Sequence, residues 1–172
     1  MNASIVLTVI GEDQPGIVEA VSDVLATHGG NWTESSMSSL AGQFAGILLA
    51  TVPAERAAAC LADLAGLESL GLAVTARTTR DLPKATGTTD FSLDLVGHDH
   101  PGIVRDITRV LKRHGVNVLE LETGVESASM AGGELFRARA RLRAPRNADL
   151  DAIQDALEGI ATELMVEIVV EL

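Results

Sequence analysis

The chain has 172 residues, 47% of them hydrophobic and 22% charged. That is enough for one medium domain or two small ones with a real core, and it excludes disorder by composition. Aromatics make up 2%, tyrosine is absent and the net charge is −11, which argues against base stacking and against contact with a phosphate backbone.

In chain order, Ser4–Ile10 is a short β-rich run. Pro15–Thr27 places Ile17, Val18, Val21, Val24 and Leu25 at helical spacing. Pro15 reads as the first helical residue, where a missing N–H costs nothing, and His28-Gly29 as the stop. Asn31–Ser39 and Gln43–Val52 read as strands joined through a hairpin at Gly42. Ala54–Ser69 is an Ala/Leu-rich helix and Leu72–Thr78 a closing strand. The stretch Thr79–Asp90 lacks periodicity and holds Pro, Gly and Thr, so residues 80–90 read as a linker. The series then repeats, with strands at Phe91–Val96, Asn117–Ser127, Glu134–Arg143 and Met165–Leu172. Its helices are Pro101–Arg113 and Ala148–Glu163, and its hairpin holds Gly132-Gly133.

The repetition is a duplication. At an offset of 86, Val9–Asn31 and Leu95–Asn117 share 11 of 23 residues, and Phe44–Pro53 matches Phe136–Pro145 at an offset of 92. Two units follow, 1–79 and 91–172, each ordered βαββαβ. That order is the ferredoxin-like α+β arrangement: one antiparallel four-stranded sheet, helices on one face and the other face open. Charge is even across the halves, nine acids against four bases in residues 1–86 and fifteen against nine in 87–172.

Alternation separates the sheet faces. In the second unit Arg137, Arg139, Arg141 and Arg143 project one way, and Asp94, Glu120, Glu122, Glu167 and Glu171 fall on the same side. This is either a salt-bridged solvated face or a patch for an acidic partner. In the first unit the equivalent positions are Val6, Thr8, Trp32, Glu34, Ala45, Ile47 and Leu49. So apolar a face is expected to pack against another chain or unit. Trp32 reads equally well as a partly buried core residue.

The shared loop is G-x-D-x-P-G-I-V: Gly11, Asp13, Pro15, Gly16 and Ile17 in the first unit, Gly97, Asp99, Pro101, Gly102 and Ile103 in the second. Each follows a strand and opens a helix. The first Gly would allow a sharp turn, and the second leaves bare backbone where a ligand can come close. First-turn N–H groups suit a carboxylate, and Asp13 and Asp99 suit an α-ammonium. Asn31 and Asn117, past the helix end, can donate and accept, as a zwitterion requires. The plain alternative is that these Asp and Asn residues are ordinary helix caps.

These residues, with the later His-Gly-x-Asn, resemble the ACT domain family of small ligand-binding regulatory domains. The whole chain, two such units and nothing else, resembles the glycine cleavage system transcriptional repressor family. The resemblance implies amino-acid sensing, with glycine or a similar ligand between paired units. The loop of one would face the start of the second strand of its neighbour. It also implies action through a protein partner such as a transcription factor, without direct DNA contact.

Other chemistry has little support. His98, Asp99 and His100 are too few for zinc, and His114 stands at the far end of their helix, so no metal site is expected. No Lys follows the loops as a phosphate-binding loop needs. Cys60, the single cysteine, excludes an internal disulfide and reads as a small buried hydrophobe. The first basic residue is Arg56, so a secretory signal lacks its positive segment, and no apolar run approaches a bilayer span. The expectation is a cytoplasmic, non-enzymatic, cofactor-free amino-acid sensor, with a homodimer as one form. The competing expectation is a ligand-free adaptor module that oligomerises.

Overall fold

The computed structural model describes residues 1–79, 87–127 and 134–171. The chain divides into two units, Met1–Pro83 and Lys84–Leu172. The first runs β1 (Asn2–Glu12), α1 (Ile17–Thr27), β2 (Asn31–Leu40), β3 (Gln43–Pro53), α2 (Ala57–Gly66) and β4 (Ala73–Thr79). The second runs β5 (Thr88–His98), α3 (Ile103–Arg113), β6 (Asn117–Ser127), β7 (Glu134–Pro145), α4 (Leu150–Leu164) and β8 (Val166–Glu171). Each forms a four-stranded sheet, in the orders β2-β3-β1-β4 and β6-β7-β5-β8. Every neighbouring pair is antiparallel. This is the expected α+β, βαββαβ repeat.

Alternation along the strands builds two cores. Ile5, Leu7 and Val9 of β1 face Leu48, Ala50 and Val52 of β3 and meet Ile17, Val21 and Leu25 of α1 and Cys60 and Leu64 of α2. In the second unit Phe91, Leu93 and Leu95 of β5 and Leu142 of β7 meet Ile107 and Leu111 of α3 and Ile153 and Leu157 of α4. Within each strand the core residues share one parity, so the helices cover one sheet face and the other is left open.

The open face of the second unit is a ladder of ion pairs. Arg137 bonds Glu126, Arg139 bonds Asp94, Arg141 bonds Glu120, and Arg143 grips Asp90 with both nitrogens at 2.6 and 2.7 Å. All four arginines are therefore satisfied within the unit, which favours the salt-bridged face over a patch for an acidic partner. The open face of the first unit carries Val6, Thr8, Ala45, Ile47 and Leu49, paired across β1 and β3. Ile10 and Ile47 there are about half exposed, at 51% and 50%.

Trp32 corrects the alternation reading. A bulge at Thr33 shifts the β2 register, so Trp32 pairs with Ala50 and Glu34 with Leu49. The indole lies on the helix side, packed on the first core. Pro15 is a second correction. The helix cap is Gly16, at φ 99° and ψ −6°, which is the third residue of a type II turn with proline second. Pro15 thus precedes the helix. The expected Ala54–Ser69 helix is also broken: short 3-10 turns, Ala54–Arg56 and Leu67–Leu70, flank α2. Of the expected linker, residues 88–90 belong to β5, where Thr89 pairs with Ala144 and Asp90 with Arg143. Residues 80–86, the Gly132-Gly133 hairpin and Leu172 lie outside the described residues.

Candidate functional site

The first loop residue is a packing residue. Gly11 lies within β1, opposite Phe44. A Cβ there would stand 2.7 Å from Leu72 Cδ2 and 3.0 Å from the Gly71 carbonyl. At Gly97 a Cβ would stand 2.3 Å from Val166 Cγ1. The close approach of Gly71 and Leu72, just before β4, and of Val166 on β8 demands these glycines, and no turn falls there.

Asp13 and Asp99 then leave the strand. Their backbone N–H groups donate to the carbonyls of Gly42 and Glu134, at 2.9 and 3.0 Å. This pins each loop to a hairpin base. The Asp13 carboxylate accepts from the Ser39 hydroxyl. It does not cap the helix, and neither does Asp99: α1 and α3 start on Gly16 and Gly102 with no side-chain cap. The cap alternative for both aspartates is therefore wrong. Only glycine sits easily at φ 99° and 104°. The first helical bonds run from Ala20 N–H to Gly16 and from Asp106 N–H to Gly102, leaving the N–H groups before them at the positive end of each helix. Ile17 and Ile103 are buried anchors under the two helix starts, at 5% and 3% exposure.

Asn31 and Asn117 stand elsewhere. Asn31 pairs with Thr51 of β3, whereas Glu12, beside the loop, pairs with Gln43. Those β3 positions are eight residues apart, roughly 27 Å at about 3.4 Å per residue. Asn117 pairs with Arg143 and His98 with Leu135, the same separation. Within a unit the loop and its asparagine occupy opposite ends of the sheet. The helix does not bring them together.

The two loops differ in charge. Over Gly102, the Arg105 guanidinium forms a two-pronged bond to Asp106, at 2.8 and 2.9 Å. A Cβ on Gly102 would meet Arg105 Nη2 at 3.0 Å. The bond to Arg105 holds the Asp106 carboxyl below the usual carboxylate range and raises Arg105 in turn. The first loop has Glu19 near the equivalent place, its Oε2 4.0 Å from a Cβ on Gly16. His100 bonds the Leu164 carbonyl at 3.2 Å and ties the second loop to the end of α4. His28 bonds Asp63 at 2.7 Å and ties α1 to α2. Sequence reasoning missed Ser39, Arg105 and Asp106, because none lies inside the repeated motif. Among the described residues no three His, Cys, Asp or Glu side chains gather as metal ligands, and no helix is long and apolar enough to cross a membrane.

Two ferredoxin-like units, each opening its first helix on a Pro-Gly turn with an aspartate before it, define a duplicated small-domain α+β protein. The sequence profile of the ACT domain matches residues 3–76 and 90–171, and the chain belongs to that family. It is 26% identical over 163 residues to the glycine cleavage system transcriptional repressor of Escherichia coli, covering 93% of this chain and 85% of that one. The protein of the same name from Shigella flexneri matches equally. A crystal structure of an unknown protein from Galdieria sulphuraria superposes with a TM-score of 0.89 at 31% identity, covering 99% of this chain and 98% of that one. A provisionally named glycine cleavage system transcriptional repressor superposes at 0.70 with 17% identity, over 99% of this chain and 97% of that one, and shares the fold.

Proposed function

We propose that the chain is a non-enzymatic regulatory protein that senses an amino acid, glycine or one like it, and passes the signal to a protein partner. The observation that carries this reading is the duplicated, uncapped helix start preceded by an aspartate, whose carboxylate Ser39 holds in the first unit. The N–H groups take the ligand carboxylate, and Asp13 or Asp99 takes its ammonium. Family membership and the similarity to transcriptional repressors of glycine metabolism support the regulatory part. Asn31 and Asn117 stand at the far end of the sheet from their own unit's loop, so neither reaches a ligand held there. The signal is a linkage effect. A ligand that favours one arrangement shifts partner affinity by the difference in its own affinities for the two. A partner of the transcription-factor class fits an acidic protein of net charge −11, for which direct contact with DNA is repulsive.

Glycine has about five heavy atoms, so at about −1.5 kcal/mol per atom its binding reaches at best roughly −7.5 kcal/mol, low micromolar. Calorimetry against each common amino acid at millimolar concentration tests the reading. Heat from one or a few, lost in an Asp13→Ala, Asp99→Ala variant that still folds, supports a sensor. No heat from any favours the adaptor reading, for which Ile10 and Ile47 on the first open face supply a contact surface.

A further inference from the structure

The two units fill their cores differently. Between α3 and β6 lies a cavity lined by Leu95, Ile103, Ile107, Val118, Leu121 and Ala140, among others. It leaves about 30 Å³ in which the centre of a water-sized group can move, against the roughly 10–15 Å³ that one water needs. Its wall is apolar throughout, so water finds none of the two to four polar partners that would hold it. The mouth opens between Val104 and Leu121, which are 39% and 44% exposed.

Repeat register shows why the space is there. Val118 pairs with Leu142 as Trp32 pairs with Ala50, and Thr123 pairs with Ala138 as Met37 pairs with Gly46. Ala140 holds the place of Leu48. In the first unit Trp32 and Met37 pack onto the core, and Leu48 is 1% exposed. The second unit thus has two smaller residues, Val118 and Ala140, around one space. Ala140 alone lacks three carbons relative to Leu48. Two large gains on β6 and β7 accompany them: Leu142, in the place of Ala50, stands outside the lining, and Leu121, in the place of Ser35, lies at the rim. The mouth also adjoins the second loop: Val104 is the second residue of α3, two after Gly102.

We propose that this cavity is a subsite for a branched aliphatic side chain, and that the second loop takes an amino acid of the leucine, isoleucine or valine class. The second clause rests on the amino-acid reading above, and the first does not. Val104 at the mouth is two residues along α3 from Gly102, where the polar end of such an amino acid would lie. The first unit carries the bulkier Trp32 and Leu48 in the places of Val118 and Ala140.

Two probes separate the clauses. Isobutanol, which has the branch and no amino-acid head, is titrated against methyl-labelled protein. Shifts at the Val104 and Leu121 methyls that vanish in Ala140→Leu support the subsite. No shift, or the same shift in Ala140→Leu, overturns it and leaves the amino-acid reading standing. Leucine and glycine are then compared by calorimetry. Leucine binding at least about 10-fold tighter, the lower end for a methylene in an apolar pocket, with the ratio collapsing in Ala140→Leu, supports the second clause. A ratio near one overturns it. Isobutanol binding with no amino-acid binding at all keeps the subsite and overturns both the second clause and the sensor reading. If Ala140→Leu fails to fold, Val118→Trp closes the same space with the first unit's own residue.

Discussion

Replacing Gly97 by alanine tests whether the first glycine of each loop serves packing or a turn. Gly97 sits on β5 between Phe136 of β7 and Val166 of β8. An added Cβ would lie 2.3 Å from Val166 Cγ1, 2.8 Å from its Cβ and 2.9 Å from its Cα. Rotating the valine moves only the first of these, so the β8 backbone must retreat. Overpacking of this kind costs about 1–3 kcal/mol, and the stiffer unfolded chain returns about 0.4–1. A net loss of about 1–2 kcal/mol lowers Tm by roughly 5–15 °C in a unit of this size. Gly124→Ala is the control: it lies on β6 with open space around it, and the same unfolded-state effect then stabilises by about 0.4–1 kcal/mol. Circular dichroism melts of the three proteins decide the matter. Gly97→Ala as stable as the parent would refute the packing assignment.

Other consequences follow from the same geometry. Ala41 holds φ 51° beside Gly42 at 77°, a two-residue hairpin that favours Asn-Gly; Ala41→Asn should raise stability by about 0.5–1 kcal/mol, measured by urea unfolding. Asp90, Glu120 and Asp106 are held below their ordinary values of 3.8, 4.5 and 3.8, chiefly by hydrogen bonds from Arg143, Arg141 and Arg105. A lowered carboxyl stabilises above its unfolded value and loses that contribution as pH falls through the folded one, so the second unit should weaken below about pH 4.5. Calorimetric scans down to about pH 2.5 should show the loss, and high salt should shrink it. Burial, and then the charge of Asp63, raises the Cys60 thiol. A colorimetric disulfide reagent should therefore leave it unmodified in the native protein and react fully in guanidinium.

The repeat and its element order were legible because duplication prints the same hydrophobic periods twice. Alternation placed all four arginines and Glu120 and Glu122 correctly, since those glutamates lie beyond the β6 bulge between Val118 and Glu120. It misplaced Trp32, which precedes the corresponding β2 bulge, because period two inverts across an extra residue. Pro15 misled for a different reason: Pro-Gly serves a helix start and a type II turn alike, and only the sign of φ at Gly16 separates them. The two aspartates looked like caps because their bonds go to Gly42 and Glu134, partners remote in sequence. The arginine over the second loop was invisible as a site feature, since no repeat marks it.

The bulges at Thr33 and Leu119 fall on the outer strands β2 and β6. Such a strand shows a row of free backbone groups on which another molecule can template fibre growth. An extra residue breaks the flatness of that row and twists it. On β6, Glu120, Glu122 and Glu126 add like charges that an incoming identical strand would have to desolvate. The same irregularity that turns Trp32 toward its core therefore helps to keep a chain with four sheet margins from growing into aggregates while it is being made and folded.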